Sequence, residues 1–355
     1  MSAPKRAKKS TQQKSKIKTL KEKKTIMRIK DVLVPKEYSI DEVGLTQSLI
    51  TAYMNCRKRF LLKLNRYTSA SKNKTTLFGN IVHRVLELMY EATQEHTKLN
   101  WSRFIEIAIS THEQHEQDNY IGVTPEDIQF AQVVANVMLL AYVNYYTEDF
   151  TDKRFTDTEE EISVLFLKPF RTRLLMKLDG CYNTKGKAPK VWLMEHKTRS
   201  RISEETLMKR LSYDFQNLTY VTIVEEAREI NIDGVLYNII RKPQIRQRKG
   251  ETAHEFATRL KEDIEKRPEF YFMRYEIPYT KADKKSFRAE LFETILSIRE
   301  SLTKCKQTRD NSVFYKNPTA CEANFPCEFI DACASETMNG YFQKDKLFSE
   351  LNQIT

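Results

Sequence analysis

The chain has 355 residues, 40% of them apolar with 19 Phe and 17 Tyr, enough for one large α/β domain with a helical addition. Its 8 glycines and the lack of a GxGxxG or P-loop pattern argue against a nucleotide-binding glycine loop. Residues 1–30 hold 12 Lys+Arg against one Glu, and the remaining 47 basic and 47 acidic residues cancel, so the whole formal charge of +11 sits there. Such a lysine block cannot collapse and is expected to be disordered. It would bind nucleic acid by neutralising phosphates, act as a basic address signal, or merely keep the chain soluble. No apolar run approaches the ~18 residues of a membrane span, and the N-terminus lacks an apolar signal segment, so neither membrane insertion nor secretion is expected. The expected location is cytoplasmic, with the nucleoid, or nuclear in a eukaryotic host.

After an extended lead-in over 31–44, a helical period starts at Thr46 and runs through Leu49, Ile50, Tyr53, Met54, Phe60, Leu61 and Leu62, with Cys56 inside it. A polar loop at 68–76 precedes a second helix from Phe78 to about Thr93. On it Gly79, His83 and Glu87 recur every four residues and so share one face, and the glycine lets another backbone or a ligand come close. Helices over roughly 101–117 and 125–148 follow, as a helical insertion ahead of a sheet. Strands are expected at Ile162–Leu167, Arg173–Cys181 and Val191–Lys197.

The last two strands read as a hairpin. Leu174, Leu175, Met176 and Leu178 lead to Asp179, and Val191, Trp192, Leu193 and Met194 lead to Glu195, His196 and Lys197. Apolar strands that stop at charges place Asp179, Glu195 and Lys197 on one sheet edge. Two neighbouring carboxylates repel, and burying both ionised calls for a cation between them. Hard oxygen ligands suit Mg²⁺ or Mn²⁺. Residues two apart on a strand face the same way, so Lys197 is placed to orient water and to stabilise charge building on a phosphate. An ordinary charged surface hairpin is the alternative.

Ser203 is a plausible N-cap for a helix to about Glu226, which carries Gln216 and Tyr220 on one face. Strand Gly234–Ile240 ends in Arg241 and Lys242, with Arg246, Arg248 and Lys249 behind, a cluster suited to phosphate contacts. Helix 253–265, strand Tyr271–Pro278 and helix 281–303 complete the order, which implies a mixed central sheet flanked by helices. With no G-x-S-x-G or H-E-x-x-H, a sugar- or protein-directed hydrolase is disfavoured. Six cysteines occur, three of them as Cys321-x5-Cys327-x5-Cys333, and without a secretion signal they are expected to be reduced.

These pieces match a known pattern. TQSLITAYMNCRKRFLLK (46–63), GNIVHRVLELMY (79–90), LDG (178–180), MEHKT (194–198) and QNLTY (216–220) stand in the order of a nuclease family. Over roughly 45–335 the chain resembles the RecB-like branch of the PD-(D/E)xK nuclease superfamily, close to the AddB C-terminal nuclease, the CRISPR-adaptation nucleases and related phage exonucleases. The resemblance implies a restriction-endonuclease-like α/β core over 161–304. A helical region (31–160) precedes this core and a cysteine-bearing segment (305–355) closes back on the first helix. It implies His83, Asp179 and Glu195 as metal ligands with the His196 carbonyl as a further one, and Lys197 as the catalytic lysine. Gln216 and Tyr220 would position DNA or the site, although a plain amphipathic-helix role serves them equally. The implied activity is Mg²⁺- or Mn²⁺-dependent hydrolysis of DNA, as an exonuclease on single strands or duplex ends in recombination, repair or phage DNA processing, with a helicase or recombinase as possible partner. A non-catalytic nucleic-acid-binding scaffold that keeps the fold is the alternative. Iron–sulfur members of the family hold a [4Fe–4S] cluster on one early and three late cysteines, an arrangement that Cys56, Cys321, Cys327 and Cys333 fit. Tetrahedral zinc on the same thiolates, or free thiols in a core, are the alternatives.

Overall fold

The structure is a computed structural model that describes residues 27–69, 72–94, 99–116, 123–151, 154–166, 171–184, 189–322, 326–348 and 351. The lysine-rich stretch up to residue 26, and with it the expected disorder, lies outside the described residues.

The N-terminal half is helical. After β1 (Leu45–Thr46) come α1 (Gln47–Asn55), α2 (Arg57–Leu64), β2 (Tyr67–Ser69), α3 (Lys72–Gln94), α4 (Trp101–Glu116), α5 (Pro125–Tyr145) and α6 (Thr147–Thr151). Thr46 caps α1, its hydroxyl accepting from the Leu49 N–H (3.4 Å). The single helix expected after Thr46 is in fact two. Cys56 adopts extended backbone (φ −159°) between α1 and α2, so it ends one helix and opens the next. α5 corrects the expectation that no segment has the length and apolarity of a membrane span: by those two measures it qualifies. Its Ala135, Met138, Leu139 and Tyr142 are fully buried, which makes it a core helix of this fold.

Next come β3 (Arg154–Phe166), β4 (Thr172–Asn183), β5 (Val191–Arg199), α7 (Glu204–Leu211), α8 (Phe215–Arg228), β6 (Gly234–Arg241), α9 (Ala253–Lys266), α10 (Pro268–Tyr271), β7 (Phe272–Pro278) and α11 (Lys281–Thr308). The helix expected from Ser203 is likewise divided, because Asp214 recaps the chain by accepting from the N–H groups of Gln216 and Asn217. α9 and α11 open with capping boxes, Thr252 with Glu255 and Thr280 with Asp283.

The strands form one mixed sheet in the order β1-β4-β5-β6-β7, with β3 against β4. β5 and β6 are parallel, joined through α7 and α8, whereas β3–β4, β4–β5 and β6–β7 are antiparallel. Alternation along β5 divides the core. Leu193 packs with α8 and α11 residues on one face, and Trp192 and Met194 pack with α3, α5 and α9 residues on the other. The chain closes with α12 (Ile330–Ser335) and β8 (Tyr341–Gln343), which pairs antiparallel with β2.

Candidate active site

β3 occupies one edge of β4 from Thr172 to Asn183. On the other edge β1 meets β4 at Leu174 and Leu175, and β5 meets it from Gly180 to Asn183. The β4–β5 ladder ends at Gly180 opposite Met194, so Asp179 and Glu195 are the first residues beyond the last pair, where the strands part. This corrects the expected position: both residues lie inside their strands at a fork rather than at strand ends along a sheet edge. The fork leaves backbone and carboxylate groups free for each other. Asp179 Oδ2 accepts from the His196 N–H at 2.6 Å. Glu195 is 3% exposed, and its Oε1 accepts from Lys197 Nζ and from Gln216 Nε2, the latter at 2.7 Å. Lys197, with 27% of its side chain exposed, borders solvent.

Burial sets the protonation of the fork. It raises the Asp179 carboxyl above its ordinary range against the pull of Lys197 and the His196 N–H. It lifts Glu195 to about 7, with Asp179 adding to the rise and Lys197 opposing it. Burial draws Lys197 down, but Glu195 first, with the Tyr237 hydroxyl and Asp179, outweighs it and the ammonium is held charged. Two desolvated carboxylates sharing one lysine form a donor set short of positive charge. Among the described residues no three His, Cys, Asp or Glu side chains stand together as a metal cage. Mg²⁺ keeps most of its waters and needs only one or two carboxylates, which this pair supplies.

α3 lies close over β5 at one point. A Cβ on Gly79 would stand 2.8 Å from the Thr198 hydroxyl, so the glycine is required for that approach. One turn on, half-buried His83 stands with its ring edge-on to His196, centroids 6.4 Å apart. Burial and then Lys197 lower His83 to about 4, so its imidazole is neutral at pH 7.

Behind the fork runs a polar network that the sequence did not reveal. Arg274 bonds Asp149, which is fully buried, and donates to the Tyr142 hydroxyl (2.7 Å) and to Asn238 Oδ1 (2.8 Å). Tyr90 donates to Asp149 (2.8 Å), and its ring stacks on His196 at 5.3 Å. An arginine only donates, so the Asn238 amide NH₂ is left to donate to His196 Nδ1 (2.8 Å), which fixes the proton on Nε2. That Nε2 is buried without a partner among the described residues, and burial holds the ring neutral. The one signal in the sequence was an asparagine inside the otherwise apolar run of β6.

Gln216 reaches the fork. Tyr220, half-buried one turn later, packs against the core. Arg241 ends β6 with its guanidinium 4.1 Å from the Phe270 ring, and Lys242 Nζ stands 5.9 Å from the Phe78 ring. Away from the fork, Cys56, Cys321, Cys327 and Cys333 line one cavity of about 100 Å³ beside Arg59 and Lys316. Burial raises the Cys321 thiol, and it raises Cys333 to about 11. Cys181 and Cys305 are buried elsewhere.

No curated protein matches the chain. Among solved structures, that of SSO0001 aligns at 11% identity over 60% of this chain and 84% of its own, with a TM-score of 0.27. Residues 44–334 match the PD-(D/E)XK nuclease superfamily, a span that contains both strands of the fork and the helices that bring His83 and Gln216 to it, and the chain belongs to that superfamily.

Proposed function

We propose that the chain is a deoxyribonuclease dependent on Mg²⁺ or Mn²⁺, acting as an exonuclease on single-stranded DNA or duplex ends in recombination, repair or phage DNA processing. Membership of the superfamily implies phosphodiester cleavage, and its members typically use these two ions. The observation that carries the reading is the fork, where Asp179, Glu195 and Lys197 meet beside the Asp179–His196 backbone bond. In this reading Asp179 and Glu195 hold the ion, with His83 and the His196 carbonyl beside them. The bound ion supplies positive charge against the phosphate and makes water a better nucleophile. Lys197 orients that water and stabilises negative charge on the phosphoryl oxygens. Gln216 fixes the Glu195 carboxylate, and Tyr220 stiffens the helix that presents Gln216. Arg241 and Lys242 hold the DNA backbone. A helicase or recombinase would supply the ends.

Labelled single-stranded DNA tests the reading. Mg²⁺ or Mn²⁺ should support its degradation by the parent, whereas Asp179→Ala and Lys197→Ala should bind DNA nearly as well and not cut it. Linear substrate should disappear and circular substrate should survive. Cleavage by both variants at the parental rate would remove the assignment, and binding without cleavage by the parent would leave a scaffold.

The cysteine lobe supports a [4Fe–4S] cluster on Cys56, Cys321, Cys327 and Cys333. These residues, far apart in sequence, converge on one cavity with basic side chains at its wall, and thiolates are the ordinary cluster ligands. A single zinc ion draws four thiolates into one shell of about 2.3 Å radius. Tetrahedral zinc on the same four thiolates is the alternative, and the metal content of the purified protein distinguishes the two. Anaerobically purified protein should be brown with a broad visible band, lost in Cys333→Ser. Bound zinc, or a colourless protein, overturns the assignment.

A further inference from the structure

Glu195, Lys197 and Arg199 alternate along β5 and share one face of the sheet. Arg199 is in register with Arg241 of the parallel strand β6, so two half-buried arginines end neighbouring strands side by side on the face that carries Lys197. Like charges directly opposite destabilise a sheet. Other arginines of this protein meet carboxylates, as in Arg259–Glu251, Arg267–Asp263 and Arg274–Asp149. This pair does not, among the described residues. Arg199 donates to the Tyr237 hydroxyl (2.6 Å), and Arg241 to Met273 Sδ (3.8 Å) while lying against Phe270. Both Nε atoms are buried without an acceptor among the described residues. Glu204, near by, is engaged by the Tyr275 hydroxyl at 2.8 Å. The strand ends are tied together where the Lys242 N–H donates to the Arg199 carbonyl (2.8 Å).

We propose that Arg199 and Arg241 form a phosphate subsite for the nucleic-acid backbone, holding a phosphate that flanks the one being cleaved. The proposal rests on the nuclease reading for the position of the cleaved phosphate. Arg199 lies ~6.6 Å beyond Lys197 along the strand, comparable with one backbone step. The planar guanidinium fork matches phosphate oxygens in a way that a lysine does not. An anion between the two heads removes their repulsion and gives their outer N–H groups the charged acceptor that no carboxylate among the described residues supplies.

The test is binding of a labelled single-stranded oligonucleotide to the full chain in EDTA, over a salt series, for the parent, Arg199→Gln, Arg241→Gln and the double variant. Each single variant should lose affinity roughly tenfold, as for a charge-assisted hydrogen bond. The slope of log K against log salt should fall by about 0.7 in the double variant, the value for one single-strand phosphate. Thermal midpoints should not fall, since the change removes opposed like charges. A 5′-phosphate that strengthens binding of the parent but not of the double variant assigns a terminal phosphate; equal loss with and without it assigns an internal one. Parental affinity and salt slope in the double variant overturn the subsite. If the parent cuts DNA and the double variant binds normally, the subsite alone fails; if the variants lose binding but the parent never cuts, the nuclease reading fails and the subsite stands.

Discussion

Asp179 and Glu195 are close enough in space to share Lys197, yet the sequence separates them by a strand end, a turn and another strand. Their types and the Glu-x-Lys spacing were legible, because alternation puts Glu195 and Lys197 on one face whatever else the chain does. Their place at an internal fork was not, because where the β4–β5 ladder stops depends on β1 taking part of the same edge of β4. Burial gives Glu195 a titration that the unfolded chain lacks. Its folded value is raised to about 7, above the unfolded carboxylate range, so its contribution is full at low pH and is lost as pH rises toward 7. In chelator, the denaturant-measured stability of the parent should therefore decline between about pH 5 and 7, and Glu195→Gln should flatten that decline. An unchanged slope would mean that Glu195 is hydrated and ordinary. The same residue scale decides Gly79, where Gly79→Val should cost about 1–3 kcal/mol by overpacking against Thr198 and should lower cleavage through displacement of His83. Thr198→Ala should restore part of both losses, measured by thermal denaturation and cleavage rate.

At the scale of elements, the hydrophobic periods located β4 to β7 and the long helices α9 and α11, but they caught only the second half of β3, which starts at Arg154 rather than Ile162, and did not register the short α10. They missed three breaks, at Cys56, at Tyr146 and at Ser212–Asp214, because apolar periodicity continues through them and the interruption is made by the backbone. They also missed what fastens the helical region to the sheet. Arg274 on β7 joins Asp149 on α6 to Asn238 on β6, and through it to the His196 ring on β5. Partners so distant in sequence carry no local spacing signal. Arg274→Met should cost about 3–5 kcal/mol, since it strands the Asp149 charge in the interior. Adding Asp149→Asn should recover a substantial part of that loss. Additive losses in the double variant, read from chemical denaturation, would show that the two groups are not coupled.

For the whole molecule, one side chain ties the first described residues to the segment after α11, beside backbone bonds that do the same. Asn311 accepts from buried Lys58 (2.9 Å) and donates to the carbonyls of Ile29 (2.9 Å), Lys30 (3.1 Å) and Val32 (2.8 Å). The Met338 N–H bonds the Met27 carbonyl at 2.9 Å, and Ile29 N–H bonds the Glu336 carbonyl at 3.0 Å, so residues 27–29 lie beside the cysteine lobe. Nothing in the local sequence announced this clasp, and only the family resemblance joined Cys56 to the three late cysteines. Asn311→Ala should leave the buried Lys58 ammonium without its acceptor and lower the thermal midpoint by several degrees, a loss of about 1.5–3 kcal/mol. An unaltered midpoint would locate the closure elsewhere. The account as a whole turns on whether the fork between β4 and β5 takes a divalent cation. Titration of Mn²⁺ into the DNA-free protein, followed by the electron paramagnetic resonance of the free ion, measures this directly. The parent should bind Mn²⁺ and lose it to competing Mg²⁺, and Asp179→Asn and Glu195→Gln should each bind far more weakly. Equal Mn²⁺ uptake by all three proteins would contradict the account.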